Sequence, residues 1–109
     1  MQVVLKRPTI TVIRPQGCLN ASNALEFERD LTTALAQDDI SALVVNLAAV
    51  ESLDSAGLMA LVSTLKLAGK LGKSLRLCSV ASSIRIIFEL TQLDGVFEIL
   101  PVEPKVTAA

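Results

Sequence analysis

A short polar stretch, Asp54-Ser55-Ala56-Gly57, stands between two apolar runs of this sequence. Asp54 or Ser55 can cap a helix, because a side-chain oxygen at the N-cap accepts hydrogen bonds from free backbone N–H groups. Capping does not explain why a serine in the first turn is followed by two residues with almost no side chain. Such a serine would be open to another protein's active site, and a phosphate there would add about −1.5 to −2 charges. The stretch therefore predicts a modification site as well as a helix start.

Residues for enzyme chemistry are scarce elsewhere in the chain. There is no His to act as the base for Ser55, and no lysine can be identified in that role. The 5 glycines are too dispersed for a phosphate-binding loop, and neither His nor a CxxC pair is present for zinc. The adjacent carboxylates Asp38 and Asp39 are predicted to lie in a solvated turn. We therefore predict that the protein is not an enzyme and holds no cofactor or metal.

Composition points to one soluble domain. The chain has 109 residues, of which 51% are hydrophobic and 19% charged, and its net charge of −1 with only 3 aromatic residues gives nucleic acid little to bind. No apolar run is long enough to cross a bilayer, and the N-terminus lacks a signal-peptide layout. We expect a cytoplasmic protein that binds neither membrane nor nucleic acid. Cys18 and Cys78 suit a reducing compartment, although their spacing does not exclude a disulfide.

The elements that must position Ser55 alternate between strands and helices. Strands are predicted at residues 2–7, 9–17 (ending near Pro15), 42–47, 74–80 and 96–100. Helices are predicted to begin at capping residues Asn20, Ser22 and Asn23, at Asp54-Ser55, and at Ser82-Ser83, and to end near Gln37, Leu71 with Gly72, and Asp94-Gly95. The continuous apolar run at 42–47 favours a buried, central, parallel strand.

This order, β-β-α-β-α-β-α-β, predicts an α/β fold: one domain over residues 1–100, with a mostly parallel mixed sheet of about five strands and helices packed on it. Residues 101–109 are expected to form a frayed tail. In such sheets the functional surface lies where strand carboxyl ends meet helix N-termini, as they do at 54–55 and at 17–23. Leu58, Met59 and Leu61 could be core or interface, and we expect most of them to be core.

Three blocks of the sequence match one family pattern in order and spacing. They are QDDISALVVNLAAVESLDSAGLMALV, GCLNASNALEF and SSIRIIFELTQLDGVFEIL. Together they resemble the anti-sigma factor antagonists, the bacterial single-domain members of the STAS family, over nearly the whole chain. The resemblance implies a STAS fold and a protein that acts as a binding module and as a kinase substrate.

The resemblance also implies partners and site residues. An anti-sigma factor serine kinase would bind the unphosphorylated protein and phosphorylate Ser55, and a PP2C-type phosphatase would reset it. The partner surface would contain Asn20, Asp54, Ser55, Ala56 and Gly57. Two positions depart from the family: Ala56 stands where Ser or Thr is frequent, and Asn20 where Asp is usual, so we expect Asn20 to keep a capping role without the charge. A STAS scaffold or partner-switching module whose output is not a sigma factor is the alternative.

Overall fold

Two parallel sheets and three helices make up residues 10–104, the part of the chain described by the computed structural model. The strands are β1 (Ile10–Ile13), β2 (Gly17–Leu19), β3 (Ala42–Asn46), β4 (Val50–Leu53), β5 (Ser74–Cys78) and β6 (Glu98–Leu100). The helices are α1 (Ala24–Leu35), α2 (Ser55–Leu71) and α3 (Ser82–Leu90). The α/β class with a parallel sheet is confirmed, and the strand predicted at residues 2–7 lies outside the described range.

The larger sheet has the order β1-β3-β5-β6, with β3 in the interior between β1 and β5. Residues 42–45 are buried on both faces of the sheet. A run without polar alternation can be accommodated only where both faces are covered, so the predicted central position of this strand is confirmed. The smaller sheet pairs β2 with β4 and stands apart from the four-stranded ladder.

The core forms where the helices cover the sheet. On α1, Phe27, Leu31 and Leu35 are buried, and the partly buried Ala34 packs against the core. On α3, Phe88 is fully buried and meets Phe97 edge to face, with ring centroids 5.6 Å apart. Aliphatic side chains supply most of the remaining core.

The C-terminal ends of α1 and α2 are joined by Lys73. α2 ends where Gly72 takes a left-handed conformation with φ 68°, which glycine adopts without strain. The next residue, Lys73, donates from Nζ to the carbonyl oxygens of Leu35 and Gln37, each at 2.6 Å. These carbonyls lie at the end of α1, where a helix leaves acceptors unsatisfied and a cation is favourable. Lys73, which directly follows the C-cap of α2, therefore holds the C-terminal end of α1 through its side chain.

The structure differs from the predictions in several local features, and α3 ends at Leu90 rather than near Asp94-Gly95. Ser82 and Ser83 do not cap α3: the N-cap is Ala81, without a side-chain bond, and both serines lie in the first turn. Asn23 stands at the N-cap of α1, but its side chain bonds the preceding loop rather than the helix. The small sheet was not predicted, because strands of three and four residues are too short to show a period-two pattern.

Glu103, beyond the last strand, is bound to the edge of the sheet formed by the carboxyl ends of β1 and β3. Its carboxylate accepts from Arg14 Nε at 2.9 Å, forms a second bond to the same guanidinium, and accepts from Asn46 Nδ2 at 2.9 Å. Hydrogen bonding to Arg14, and then to Asn46, lowers the pKa of Glu103. This contact lies in the region 101–109 predicted as a tail; the prediction that this region frays stays untested, and residues 105–109 are outside the described range.

The Glu103 contact predicts a pH dependence of stability. Because the pKa of Glu103 is lower in the folded than in the unfolded chain, the ion pair stabilises the fold above the unfolded pKa, and the stabilisation is lost as pH falls through the folded pKa. Between about pH 6 and about pH 3, we therefore expect the Tm of wild type to fall more steeply than that of Glu103→Gln. Calorimetry measures both, with Glu89→Gln on α3 as the control. Parallel slopes for wild type and Glu103→Gln would contradict the prediction.

Candidate functional site

The small sheet brings two distant parts of the sequence together. β2 and β4 are parallel, and their last residues, Leu19 and Leu53, are register partners. Each strand leads into the start of a helix, so the loop before α1 and the first turn of α2 lie side by side. A backbone bond from Asp54 N to Leu19 O, at 3.0 Å, continues the pairing one residue further. The two junctions predicted to be functional therefore form one surface.

Asp54 connects the two junctions through its side chain. It is the N-cap of α2, and its Oδ1 accepts from the backbone N–H groups of Ala56 at 2.9 Å and Gly57 at 3.0 Å. Its Oδ2 accepts from Ala21 N at 3.3 Å, in the loop that precedes α1. One carboxylate thus satisfies two free N–H groups of a helix and fixes a neighbouring loop, and the predicted capping role is confirmed.

Asn20 caps a turn rather than a helix. Its Oδ1 accepts from Ser22 N at 3.0 Å and also from the Ser22 hydroxyl, while its own N–H donates to Asn23 Oδ1 at 2.9 Å. Asn23 Nδ2 in turn donates to Cys18 O at 2.7 Å, which ties the loop back to β2. Asn20 was predicted to keep a capping role, and in the structure it caps this turn of the loop and not the N-terminus of α1. The neutral amide side chains of Asn20 and Asn23 hold the loop in shape, and Asp54 is the carboxylate that accepts a hydrogen bond from it.

Ser55 is exposed at the first position of α2, beside exposed Asp54 and half-buried Ala56. Within residues 10–104, no hydrogen bond engages its hydroxyl. The N–H groups of Ala56 and Gly57, which would otherwise attract an anion to this helix end, already bond to Asp54. A phosphate on Ser55 would therefore lie next to a carboxylate and would find few free donors inside the domain. Its charge would be directed toward whatever binds this surface.

Gly57 is buried and belongs to the packing under the site rather than to the open surface. A Cβ there would lie 2.8 Å from Leu19 O and 2.8 Å from Leu53 Cδ1. The missing side chain allows α2 to start directly against the ends of β2 and β4. Sequence reasoning gave this glycine the role of clearance for a partner, and could not see the close approach, because neither strand was predicted.

The residues after the motif divide between core and surface. Leu58 and Leu61 are buried beneath α2, as expected for most of this group, whereas the Met59 side chain is 54% exposed. No candidate metal cluster of three His, Cys, Asp or Glu side chains occurs in the described range, and the thiols of Cys18 and Cys78 are both free. Among the described helices, none has the length and apolarity to span a membrane.

Comparisons with known proteins agree on one fold. Residues 2–109 match the sequence model of the STAS domain. An anti-sigma factor antagonist from Mycobacterium paratuberculosis is 29% identical, with a TM-score of 0.76 over 92% of this chain and 84% of that one. The Bacillus cell fate determinant SpoIIAA, in its phosphorylated form, is 17% identical, with a TM-score of 0.66 over 92% and 90%. The STAS domain of a SulP transporter from Vibrio cholerae is 17% identical, with a TM-score of 0.68 over 93% and 77%.

Proposed function

Because the chain belongs to the STAS domain family, we propose that it is an anti-sigma factor antagonist switched by phosphorylation of Ser55. In its unphosphorylated state it binds an anti-sigma factor serine kinase in the cytoplasm and so releases the sigma factor. The kinase then phosphorylates Ser55, the complex dissociates, and a PP2C-type phosphatase restores the binding form. The observation that carries the proposal is an exposed serine with an unengaged hydroxyl at the junction where β4 meets α2.

The physical basis of the switch is charge at an interface. A partner surface that fits neutral Ser55 beside Asp54 would face about two further negative charges after phosphorylation. With the nearest helix N–H groups bonded to Asp54, the domain offers the phosphate little compensation of its own. Uncompensated charge at a desolvated interface costs several kcal/mol, and about 1.4 kcal/mol already weakens binding tenfold. One phosphate is therefore enough to separate the partners.

Phosphorylation by a candidate kinase tests this proposal. We expect incubation with serine kinases of the anti-sigma type, ATP and Mg²⁺ to add the mass of one phosphate, and Ser55→Ala to abolish the gain. Ser82→Ala is the matched control, because Ser82 is also an exposed serine at the first position of a helix, and it should retain the gain. A gain that persists in Ser55→Ala would overturn the assignment of Ser55.

A second measurement tests the consequence for binding. Ser55→Asp places a permanent charge at the switch position, and we expect it to weaken the affinity for the kinase by about tenfold or more. Ser82→Asp should bind like wild type. Equal affinities for wild type and Ser55→Asp would contradict the electrostatic mechanism. Treatment of the phosphorylated protein with a PP2C-type phosphatase should restore wild-type affinity.

The likeness to a transporter's STAS domain favours one alternative. The chain would then be a scaffold or partner-switching module whose output is not a sigma factor. A scaffold predicts stable binding without any mass gain from its cognate kinases. A switching module with another output predicts the mass gain and release, but no sigma factor in the competing complex.

A further inference from the structure

An open groove lies between the N-terminal halves of α1 and α2, beside Ser55. The α1–α2 groove has a volume of about 280 Å³. It is lined by Ala21, Ala24, Leu25 and Glu28 on one side and by Ala56, Met59, Ala60 and Ser63 on the other. On α2 the lining residues follow the spacing i, i+3, i+4, i+7, and on the other side Ala24, Leu25 and Glu28 of α1 continue the line begun by Ala21 in the preceding loop.

The groove exposes large apolar side chains. Leu25 is 79% exposed and Met59 is 54% exposed, and both line the groove together with four alanines. Each helix has already buried a different stripe against the core, through residues such as Leu31 and Leu61. Exposed apolar side chains that converge on one concave surface mark an interaction site more strongly than scattered ones do.

Volume and charge restrict what the groove can hold. The groove is open and shallow, at about 280 Å³, and this is room enough for one side chain of a protein partner. Glu28 is its one charged lining residue. Within the described residues, no ion pair or hydrogen bond occupies that carboxylate. An apolar groove with an unpaired acid at its side is complementary to an amphipathic helix that carries Lys or Arg next to its apolar face.

We propose that the α1–α2 groove is the docking site for a basic amphipathic helix of the partner kinase, which inserts an apolar side chain between Leu25 and Met59 and places a cation against Glu28. The inference rests on the proposed function, since it names how the same partner is held. It also gives Ala56 a role: a residue next to Ser55 forms part of the groove wall, and its methyl group keeps that wall apolar. The presence of Ala56, where Ser or Thr is frequent in the family, then determines which kinase the groove can bind.

Affinity for a kinase that phosphorylates Ser55 provides the first test. We expect Leu25→Ala and Met59→Ala each to raise Kd about tenfold, as truncation of an interface anchor does. Ala56→Leu, which fills the groove, should have a similar effect. Leu90→Ala on α3 is the control, because Leu90 is 80% exposed and lies outside the groove. Glu28→Lys should weaken binding while Glu89→Lys on α3 does not. Groove variants that bind like wild type would overturn the proposal while leaving the phosphorylation switch intact.

A synthetic helix-stabilised peptide tests the groove without any kinase. The probe carries Leu with Arg one turn later, and matched peptides replace Leu by Ala or Arg by Glu. We expect the probe to shift the NMR signals of Leu25, Ala56 and Met59 more strongly than either matched peptide. Specific shifts in a protein that no kinase phosphorylates would support the groove and contradict the proposed switch. Equal shifts from all three peptides, or none, would overturn the docking proposal.

Discussion

Replacement of Gly57 by alanine is expected to lower the free energy of unfolding by about 2–3 kcal/mol, a large loss for a single methyl group. The added Cβ would lie 2.8 Å from Leu19 O and 3.0 Å from Leu19 Cβ. A backbone carbonyl cannot rotate away as the end of a long side chain can, so the start of α2 must move off the small sheet. That movement would also disturb the Asp54 cap, which bonds Gly57 N.

Gly69 provides the matched control in the same helix. A Cβ there meets nothing within 4 Å, and the position is exposed. Gly69→Ala should therefore raise the stability by about 0.5–1 kcal/mol, the ordinary preference of a helix interior for alanine. Urea unfolding of both variants measures the difference. If Gly57→Ala lowers the free energy of unfolding by no more than the size of the change caused by Gly69→Ala, the close approach to Leu19 is not tight.

Removal of the Asp54 side chain is expected to cost about 1–2 kcal/mol in Asp54→Ala, at the upper end for a helix cap. The carboxylate bonds three backbone N–H groups, of which two belong to α2 and one to the loop before α1. Asp54→Asn should keep most of the stability, because asparagine caps about as well as aspartate. Asp54→Asn thus removes the charge beside Ser55 while leaving the cap in place.

Thermal unfolding of the Asp54 variants checks this expectation. Asp94→Ala is the control, since Asp94 is exposed and its side chain forms no hydrogen bond within the described residues. If Asp54→Ala destabilises the protein no more than Asp94→Ala does, the three hydrogen bonds of Asp54 make no net contribution to stability. If Asp54→Asn is as damaging as Asp54→Ala, then the charge and not the geometry of the cap is what stabilises α2.

Long patterns in the sequence predict the fold well. The unbroken apolar run that forms β3 has one physical solution, a strand covered on both faces, and the structure has it. α2 begins after Asp54 and ends before Gly72, as the cap and the glycine indicate, because these signals act within one turn of the chain. The exposed position of Ser55 follows from the same local information.

Features that depend on distant contacts could not be predicted in this way. The small sheet needs only seven residues, and its strands pair across more than thirty positions of sequence. Because this sheet was not predicted, the close packing at Gly57 and the hydrogen bond from Ala21 N to Asp54 could not be predicted either. Ser82 and Ser83 looked like caps by residue type alone, yet both lie in the first turn of α3, and the N-cap is the preceding residue, Ala81. The α1–α2 groove likewise exists only after two helices are placed side by side.

The bond from Lys73 to the end of α1 has a consequence at the opposite end of the helices. Lys73 fastens their C-terminal ends, and Asp54 fastens the loop before α1 to the start of α2. The α1–α2 groove is therefore preorganised: the conformational entropy needed to shape it is lost during folding, before any partner binds. Under the proposed switch, a phosphate would then act on a rigid surface, and release would follow from repulsion alone, without a change of shape.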